Sequence, residues 1–346
     1  MSDLLSHLLT QRRWLLADGG MGSSLFARGL ESGYAPELWN IEHPERIAAV
    51  HAEFVDAGAD IILTNTFGGT RYRLKLHQAE GRVAELNVAG ARLAREAATR
   101  VAPGRAVVIA GSMGPTGEIL EPLGPLTHTD AVAAFAEQAQ ALKDGGVDVL
   151  WVETLSSQEE LNAAIEGASQ TGLPLVCTFS FDTNGRTMMG ISPAELASIH
   201  AHSQLAACGS NCGTGASELV ASIVNLARAS APDAVLVAKG NCGIPRYVDG
   251  AIRFDGTPEL MAHYATLALD AGARIIGGCC GTTGVHLRAM RRALETHTRE
   301  ASPSAEQIEA LLGPVSMGAK AQFAGQMDRS AGALSAPRLK TTHRPD

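Results

Sequence analysis

The segment DGGVDVLWVE, residues 144–153, joins a glycine turn directly to a short run of apolar residues. The same arrangement occurs in DAGADIIL at 56–63 and in DAGARIIG at 270–277. In each segment a glycine can form the left-handed end of a helix, and the apolar run that follows is typical of a strand. The repetition predicts successive helix–strand units of the parallel α/β kind.

Eight apolar runs have the Val, Ile, Leu and Ala content of strands that are buried on both faces of a parallel sheet. They lie at 14–18, 59–65, 106–111, 148–153, 174–180, 204–210, 234–240 and 273–278. Segments with helical periodicity separate them. Eight strands favour a closed (β/α)8 TIM barrel, because a doubly wound Rossmann sheet usually has about six and carries a glycine fingerprint after the first. We therefore expect one α/β barrel domain over residues 1–314.

The C-terminal part of the chain has a different composition. A capping box at Ser304–Gln307 predicts a short helix that ends at Gly313. The segment that follows, 315–346, is rich in Ala, Ser, Gly and Pro, which predicts a flexible C-terminal tail. Whether this extension contributes to a homo-oligomer stays open.

Bulk properties exclude several classes of function. The 346 residues carry a formal charge of −8 with no stripe of Lys or Arg, so nucleic acid is not an expected partner. The N-terminus lacks the pattern of a signal peptide, and no window approaches the roughly 20 apolar residues of a membrane span. We expect a cytoplasmic protein with no membrane partner. Its six cysteines are too few for a disulfide scaffold, and two of them are adjacent.

Polar and sulfur-bearing residues follow the apolar runs, where a TIM barrel builds its active site. They are Asp18, Asn65, Glu153, Asn211–Cys212, Asn241–Cys242 and Cys279–Cys280.

Three of these cysteines indicate a metal centre. Cys212 ends the sixth predicted strand and Cys279–Cys280 follow the eighth, and alternate barrel strands share layers of the interior. The glycines around the pair permit the sharp turn that both thiols need to reach one ion. Three thiolates leave one tetrahedral position open, which is typical of a catalytic zinc and not of a structural one.

Roles other than metal binding are expected for the remaining cysteines, and one alternative exists for the adjacent pair. Cys177 and Cys208 lie inside apolar runs and are expected to be ordinary core residues. Cys242 is expected to support or pack against the site, since a fourth protein thiolate would close the metal shell. A redox disulfide between Cys279 and Cys280 is a weaker rival, because it would close a strained ring.

Two acidic residues at strand ends need a cationic partner if they are buried. For Asp18 and Glu153, the partner is either the ammonium of a substrate or a protein cation such as Lys239, and spacing alone does not separate the two. Their position at strand ends favours a functional role. The glycine-rich segments at 18–24 and 111–118 can bring backbone N–H groups close to a ligand, and neither ends as a phosphate loop does.

Taken in order, eight segments resemble the homocysteine S-methyltransferase family over roughly residues 12–295. They are LLADGGMGSSL, DIILTNTFGG, GSMGPTGE, DVLWVET, FDTNGRTMMG, GSNCGTGAS, KGNCGIP and IIGGCCGTT. The final cysteine pair together with the earlier NCG is the specific part of the resemblance.

The resemblance implies roles for individual residues. Cys212, Cys279 and Cys280 match the zinc ligands of the family. The positions that hold the amino acid end of homocysteine match Asp18, Gly19, Gly20 and Glu153. Asn65 and Asn211 fall on family positions near the metal.

The implied reaction is the transfer of a methyl group from a small onium donor to the thiol of homocysteine, which gives methionine. The chain is too short to contain the folate, cobalamin and reactivation modules of a complete cobalamin-dependent methionine synthase. The overall pattern resembles bacterial betaine–homocysteine methyltransferases. S-methylmethionine, dimethylsulfoniopropionate or a partner methyl carrier are the alternative sources of the methyl group.

Residues for the donor are less clearly marked. Trp39, in PELWN, resembles a donor-site position of the betaine enzymes. Gly68–Gly69, however, stand where the animal betaine enzymes are expected to have a tyrosine, and aromatic residues make up only 4% of the chain. The aromatic cage that best holds a quaternary ammonium is therefore not reproduced intact.

Overall fold

A computed structural model of the chain describes residues 3–248 and 251–326. Its strands are β1 (Leu15–Leu16), β2 (Ile61–Leu63), β3 (Val108–Met113), β4 (Val149–Leu155), β5 (Leu175–Phe179), β6 (Ala207–Cys212), β7 (Leu236–Gly240), β8 (Pro245–Val248), β9 (Ala251–Phe254) and β10 (Ala273–Gly278).

Helices occupy most of the connections between strands. They are α1 (Leu4–Gln11), α2 (Met21–Phe26), α3 (Trp39–Glu42), α4 (Pro44–Asp56), α5 (Arg71–Lys75), α6 (Val83–Val101), α7 (His128–Asp144), α8 (Gln158–Ser169), α9 (Pro193–Ala201), α10 (Ala216–Ala229), α11 (Pro258–Ala271), α12 (Gly284–Thr296), α13 (Ala305–Leu312) and α14 (Met317–Phe323). Short 3-10 turns lie at Pro36–Leu38 and Glu80–Arg82.

Eight parallel strands form the barrel in the order β1-β10-β7-β6-β5-β4-β3-β2. A parallel bridge between Ala17 and Ile61 connects the first strand of this order to the last. The predicted (β/α)8 TIM barrel is therefore confirmed. Each predicted apolar run overlaps one of its strands, although β3, β4 and β6 extend two residues beyond the predicted ends. An antiparallel hairpin of β8 and β9, in the connection after β7, was not predicted.

The inside of the barrel is filled by side chains from alternate positions of the strands. Trp151 and Val237 belong to this inner cluster and are fully buried. Helix α1 contributes Leu5 and Leu8 to the same cluster, so it covers the N-terminal end of the barrel. The carboxyl ends of the strands are consequently the end at which a ligand can enter.

A buried carboxylate ties the N-terminal end together. Asp60 is 1% exposed and pairs with Arg12 at 2.6 Å and Arg291 at 3.3 Å, while its Oδ2 accepts a hydrogen bond from the Leu16 N–H at 3.0 Å. Because β1 and β2 share only a short bridge, this network supports the seam between them.

The prediction of a flexible tail from residue 315 needs correction over 315–326. Helix α14 lies against α10, where the side chain of Asn225 donates to the Ala319 carbonyl at 3.3 Å and Arg228 donates to that of Phe323 at 2.8 Å. Lys320 also pairs with Glu309 on α13 at 2.6 Å. The composition of the segment does not predict this helix, because the stability of the helix depends on contacts with elements that are distant in sequence. The rest of the predicted tail, 327–346, lies outside the described residues.

Among the described helices, none combines the length and the apolar character needed to cross a bilayer.

Candidate active site

A cavity of about 420 Å³ opens at the carboxyl ends of the barrel strands. It is lined by eight of the nine residues that sequence analysis assigned to metal or substrate binding: Asp18, Gly19, Gly20, Asn65, Glu153, Cys212, Cys279 and Cys280. These residues come from five strand ends, so the closure of the barrel brings them together.

Three thiols form the most distinctive group in this cavity. The Sγ atoms of Cys212, Cys279 and Cys280 all lie within 4.8 Å of one another, and no other such group of potential metal ligands occurs in the described part of the chain. Cys212 has a φ of +61°, which is uncommon for a residue with a side chain and is the kind of strain found at functional sites. Gly281 has a φ of +79° and makes the turn after the adjacent pair.

Asn241 joins the two backbone segments that carry the thiols. Its Nδ2 donates to the Gly213 carbonyl at 2.7 Å and lies 3.6 Å from Cys212 Sγ, and its Oδ1 accepts from the Cys280 N–H at 3.1 Å. In the sequence, Asn241 is marked only as a residue at a strand end. Its bridging role comes from its position in space between the Cys212 loop and the Cys279–Cys280 pair, which no local sequence pattern shows.

The thiols cannot all be ionised without a cation. Hydrogen bonds from Cys279 and Cys280 lower the pKa of Cys212 to about 3, whereas the hydrogen bond to Cys212 raises the pKa of Cys279 to about 12. The pKa of Cys280 is raised for the same reason. Three sulfurs at this spacing therefore hold about one negative charge by themselves. A bound soft cation is what would allow three thiolates, so the donor set fits a thiophilic metal ion.

The other three cysteines lie outside this cluster, and all six are free thiols. Cys177 and Cys208 are fully buried neighbours on β5 and β6, and burial raises the pKa of both. Cys242 is buried too, and its backbone N–H donates to the Cys280 carbonyl at 2.9 Å. It thus supports the loop that carries the metal-binding candidates without adding a fourth sulfur.

A buried ion pair between Lys239 and Asp18 lies in the same cavity as the thiols. Lys239 Nζ lies 2.5 Å from Asp18 Oδ1, and the two residues are 2% and 1% exposed. The other carboxylate oxygen of Asp18 accepts from the Leu63 N–H at 2.7 Å. The ion pair that sequence analysis left as an equal alternative for Asp18 is therefore present, and this carboxylate has no oxygen left unpaired.

Glu153 is placed differently. Ser112 Oγ donates to its Oε1 at 2.5 Å, while its Oε2 makes no hydrogen bond within the described residues. Burial raises the pKa of Glu153 to about 7, although the charge of Lys239 acts in the opposite direction. A free, partly protonated carboxylate facing a cavity is a group that a cationic ligand can ionise and bind.

The two glycines after β1 are required by close packing. A Cβ at Gly19 would lie 2.4 Å from the Thr282 carbonyl oxygen, and one at Gly20 would lie 2.6 Å from that of Cys279. Only glycine lets this wall of the cavity approach the loop that holds the adjacent cysteines.

The two predicted asparagines are held by their neighbours. Asn65 lines the cavity and donates to the Pro36 carbonyl at 2.8 Å. Asn211 instead exchanges two hydrogen bonds with Thr154, whose φ of +64° is unusual for a β-branched residue. Both therefore shape the backbone of the cavity wall.

Trp39 does not line the cavity, so its predicted place at the donor site needs correction. Its side chain is 5% exposed, packs edge-on against His43 and has the Arg46 guanidinium 4.8 Å from its ring centroid. The motif PELWN instead presents Glu37 to the cavity. The first helical turn after Pro36 rotates Trp39 into the core, which the resemblance alone did not reveal.

The fold and the site define a barrel enzyme whose sulfur ligands can hold a metal ion beside buried charges. The profile of the homocysteine S-methyltransferase family matches residues 15–294. The chain belongs to this family.

Two kinds of solved structure are similar to it. The homocysteine methyltransferase MmuM from Escherichia coli, in its metallated form, has a TM-score of 0.70 at 26% identity, covering 84% of this chain and 99% of that one. Its oxidized form has the same TM-score at 27% identity, with the same coverage. A methyltransferase from Methanosarcina mazei has a TM-score of 0.55 at 15% identity, covering 85% and 99%, and shows the barrel fold alone.

Proposed function

We propose that this protein transfers a methyl group from a small onium donor to the thiol of homocysteine, giving methionine, and that Cys212, Cys279 and Cys280 hold the required zinc. The observation that carries the proposal is the convergence of these three Sγ atoms within 4.8 Å in the barrel-end cavity. Membership of the family and the likeness to a homocysteine methyltransferase that has a metallated form support it.

Zinc would supply the positive charge that lets a thiol react as its thiolate near neutral pH. The protein's part is to keep three sulfurs in place and to leave room for a fourth from the substrate. Asn241 contributes by joining the Cys212 loop to the Cys280 backbone. Cys242, outside the cluster, leaves the number of protein sulfurs at three.

Homocysteine also carries an ammonium and a carboxylate, and we assign these to the charged residues of the cavity. Glu153, with one unpaired oxygen, is the partner for the ammonium. Lys239 can still offer hydrogens to the substrate carboxylate, because the ammonium group has three donors and Asp18 uses one. Asp18 then acts indirectly, by holding Lys239 in its charged form in a buried position.

In the reaction, the sulfur of homocysteine forms a bond to a methyl carbon as the bond between that carbon and the onium atom breaks. The bonding electrons stay with the leaving amine or sulfide. Positioning is the main requirement, because sulfur and methyl carbon must be held about 3–3.5 Å apart with the leaving group opposite. Betaine or a close analogue is the proposed donor, and Tyr34 and Phe67 are the aromatic faces that the cavity offers it.

The test is methionine formation from homocysteine by the zinc-loaded protein with betaine, S-methylmethionine and dimethylsulfoniopropionate in parallel. We expect about one zinc per chain and turnover with one of these donors. Full zinc loading without methionine from any donor would contradict the proposal and would favour a homocysteine-binding module that needs a partner methyl carrier.

A further inference from the structure

Besides Asp18, Glu153 and Lys239, the cavity contains a second cluster of ionisable side chains, which has no role in the proposed binding of homocysteine or zinc. It lies on the wall made by the 3-10 turn Pro36–Leu38 and by helix α5, and it consists of Glu37, Arg73 and His77. Arg73 and His77 are partly buried, and Glu37 is 4% exposed.

Arg73 is a cation that forms no salt bridge with any of the described residues. Within the described residues its guanidinium makes no ion pair and no hydrogen bond, although it lies close enough to Glu37 to lower the pKa of that carboxyl against the effect of burial. Glu37 itself accepts a hydrogen bond from the Gly68 N–H at 2.6 Å. By contrast, the neighbouring Arg71 points away from the cavity and pairs with Glu137 at 2.8 Å.

A glycine makes space for this arginine. Gly117 has a φ of +82°, and a Cβ there would lie 3.1 Å from Arg73 Cδ and 3.2 Å from Nη1. The guanidinium therefore rests against bare backbone at the rim of the cavity. A Cβ at position 117 would require Arg73 to shift by a few tenths of an ångström.

The topology places Arg73 on a different side of the barrel from the thiols. Helix α5 follows β2, which lies four strands from β6, the strand of Cys212, and two strands from β10, after which Cys279 and Cys280 follow. Lys239, the other permanent cation of the cavity within the described residues, is on β7 and is held by Asp18. The two cations thus lie on different walls of the cavity.

We propose that Arg73 is a specificity-determining residue that binds the carboxylate of a zwitterionic methyl donor. This inference rests on the proposed function. The three candidate donors all combine an onium centre with a carboxylate, so a donor whose carboxylate lies on Arg73 extends its onium end toward the thiol side of the barrel. The planar guanidinium suits a carboxylate with two parallel hydrogen bonds.

The experiment measures KM for donor and for homocysteine separately in wild-type, Arg73→Gln, Arg73→Lys and Arg71→Gln enzymes. We expect Arg73→Gln to raise the donor KM about 10- to 100-fold, as for the loss of a charge-assisted contact, with the homocysteine KM and zinc content unchanged. Arg73→Lys should fall between wild type and Arg73→Gln, because lysine keeps the charge and loses the fork geometry. Arg71→Gln should match the wild type.

A donor without a carboxylate separates binding from a general structural effect. Trimethylsulfonium, measured as a donor or as a competitive inhibitor, should bind wild type and Arg73→Gln equally well. Methionine formation with an unchanged donor KM in Arg73→Gln, or an equal loss for trimethylsulfonium, would overturn the inference and leave the proposed function intact. Absence of methionine from every donor with the wild-type enzyme would instead refute the proposed function, and this inference with it.

Discussion

Replacing Lys239 by methionine tests whether the buried ion pair holds the site together. The substitution shortens the side chain by one atom, keeps its apolar stem and removes the charge that pairs with Asp18 among the described residues, where Oδ1 lies 2.5 Å from Nζ. Breaking a buried pair by removing one partner usually costs about 3–5 kcal/mol. Asp18 can limit the cost by taking up a proton. For a carboxyl with an ordinary pKa near 3.9, this costs at most about 4 kcal/mol at pH 7.

We therefore expect Lys239→Met to lower the free energy of unfolding by about 3–4 kcal/mol at pH 7. The penalty should depend on pH in a defined direction. Burial already raises the pKa of Asp18, and loss of the lysine raises it further, so the folded state binds a proton that the unfolded state has released. The stability of Lys239→Met therefore falls as pH rises above the pKa that Asp18 has in the unfolded chain. At pH 5 the loss of unfolding free energy should be only about 1.5 kcal/mol.

The assay is urea-induced unfolding of wild type and variant at pH 5 and pH 7. Arg71→Gln, which breaks the exposed pair with Glu137, is the matched control and should cost less than about 1 kcal/mol. Asp18→Asn in the Lys239→Met background should recover part of the loss, since asparagine still accepts the hydrogen bond from Leu63. A loss below about 1 kcal/mol at pH 7, or one that is equal at both pH values, would refute the reasoning.

Cys279→Ser should lower the bound zinc measured by elemental analysis well below one per chain and should abolish methionine formation. Cys242→Ala should keep its zinc. Equal zinc loss in both variants would count against a three-sulfur site. As pH drops below about 7, the affinity for homocysteine should fall more steeply in the wild type than in Glu153→Gln, because Glu153 takes up a proton there and glutamine does not. Calorimetric titration between pH 6 and 8 checks this, and an equally steep pH dependence in both proteins would assign the titration to another group. Asp60→Ala should cost about 1–3 kcal/mol of stability in denaturant unfolding, because it leaves the buried Leu16 N–H without its side-chain acceptor and removes the shared partner of two partly exposed arginines. The homocysteine KM of the folded enzyme should stay unchanged, and a large change in KM would show that the two ends of the barrel are coupled.

The barrel could be predicted from the chain because its signals are local. Each strand is an apolar run, three of these runs directly follow a repeated glycine turn, and the order of the runs limits the possible folds. The same holds for the thiols. The glycine-flanked pair Cys279–Cys280 and the earlier Cys212 follow strands, and a closed barrel must bring such positions to one end. Elements without a local sequence signal were not predicted, as the hairpin β8–β9 and the docked helix α14 show.

The types of residue and the order of the strands can be identified in the sequence, and they specify the barrel and the sulfur-rich end of its cavity. Which atoms meet there depends on side-chain directions and distances between segments far apart in sequence, and these exist only once the chain is packed. For that reason only the folded molecule shows the pairing of Asp18 with Lys239, the bridge made by Asn241, the burial of Trp39 and the place of Arg73 on the cavity wall. Electrostatic partners are selected by proximity in a low-dielectric interior, and sequence spacing does not record that proximity.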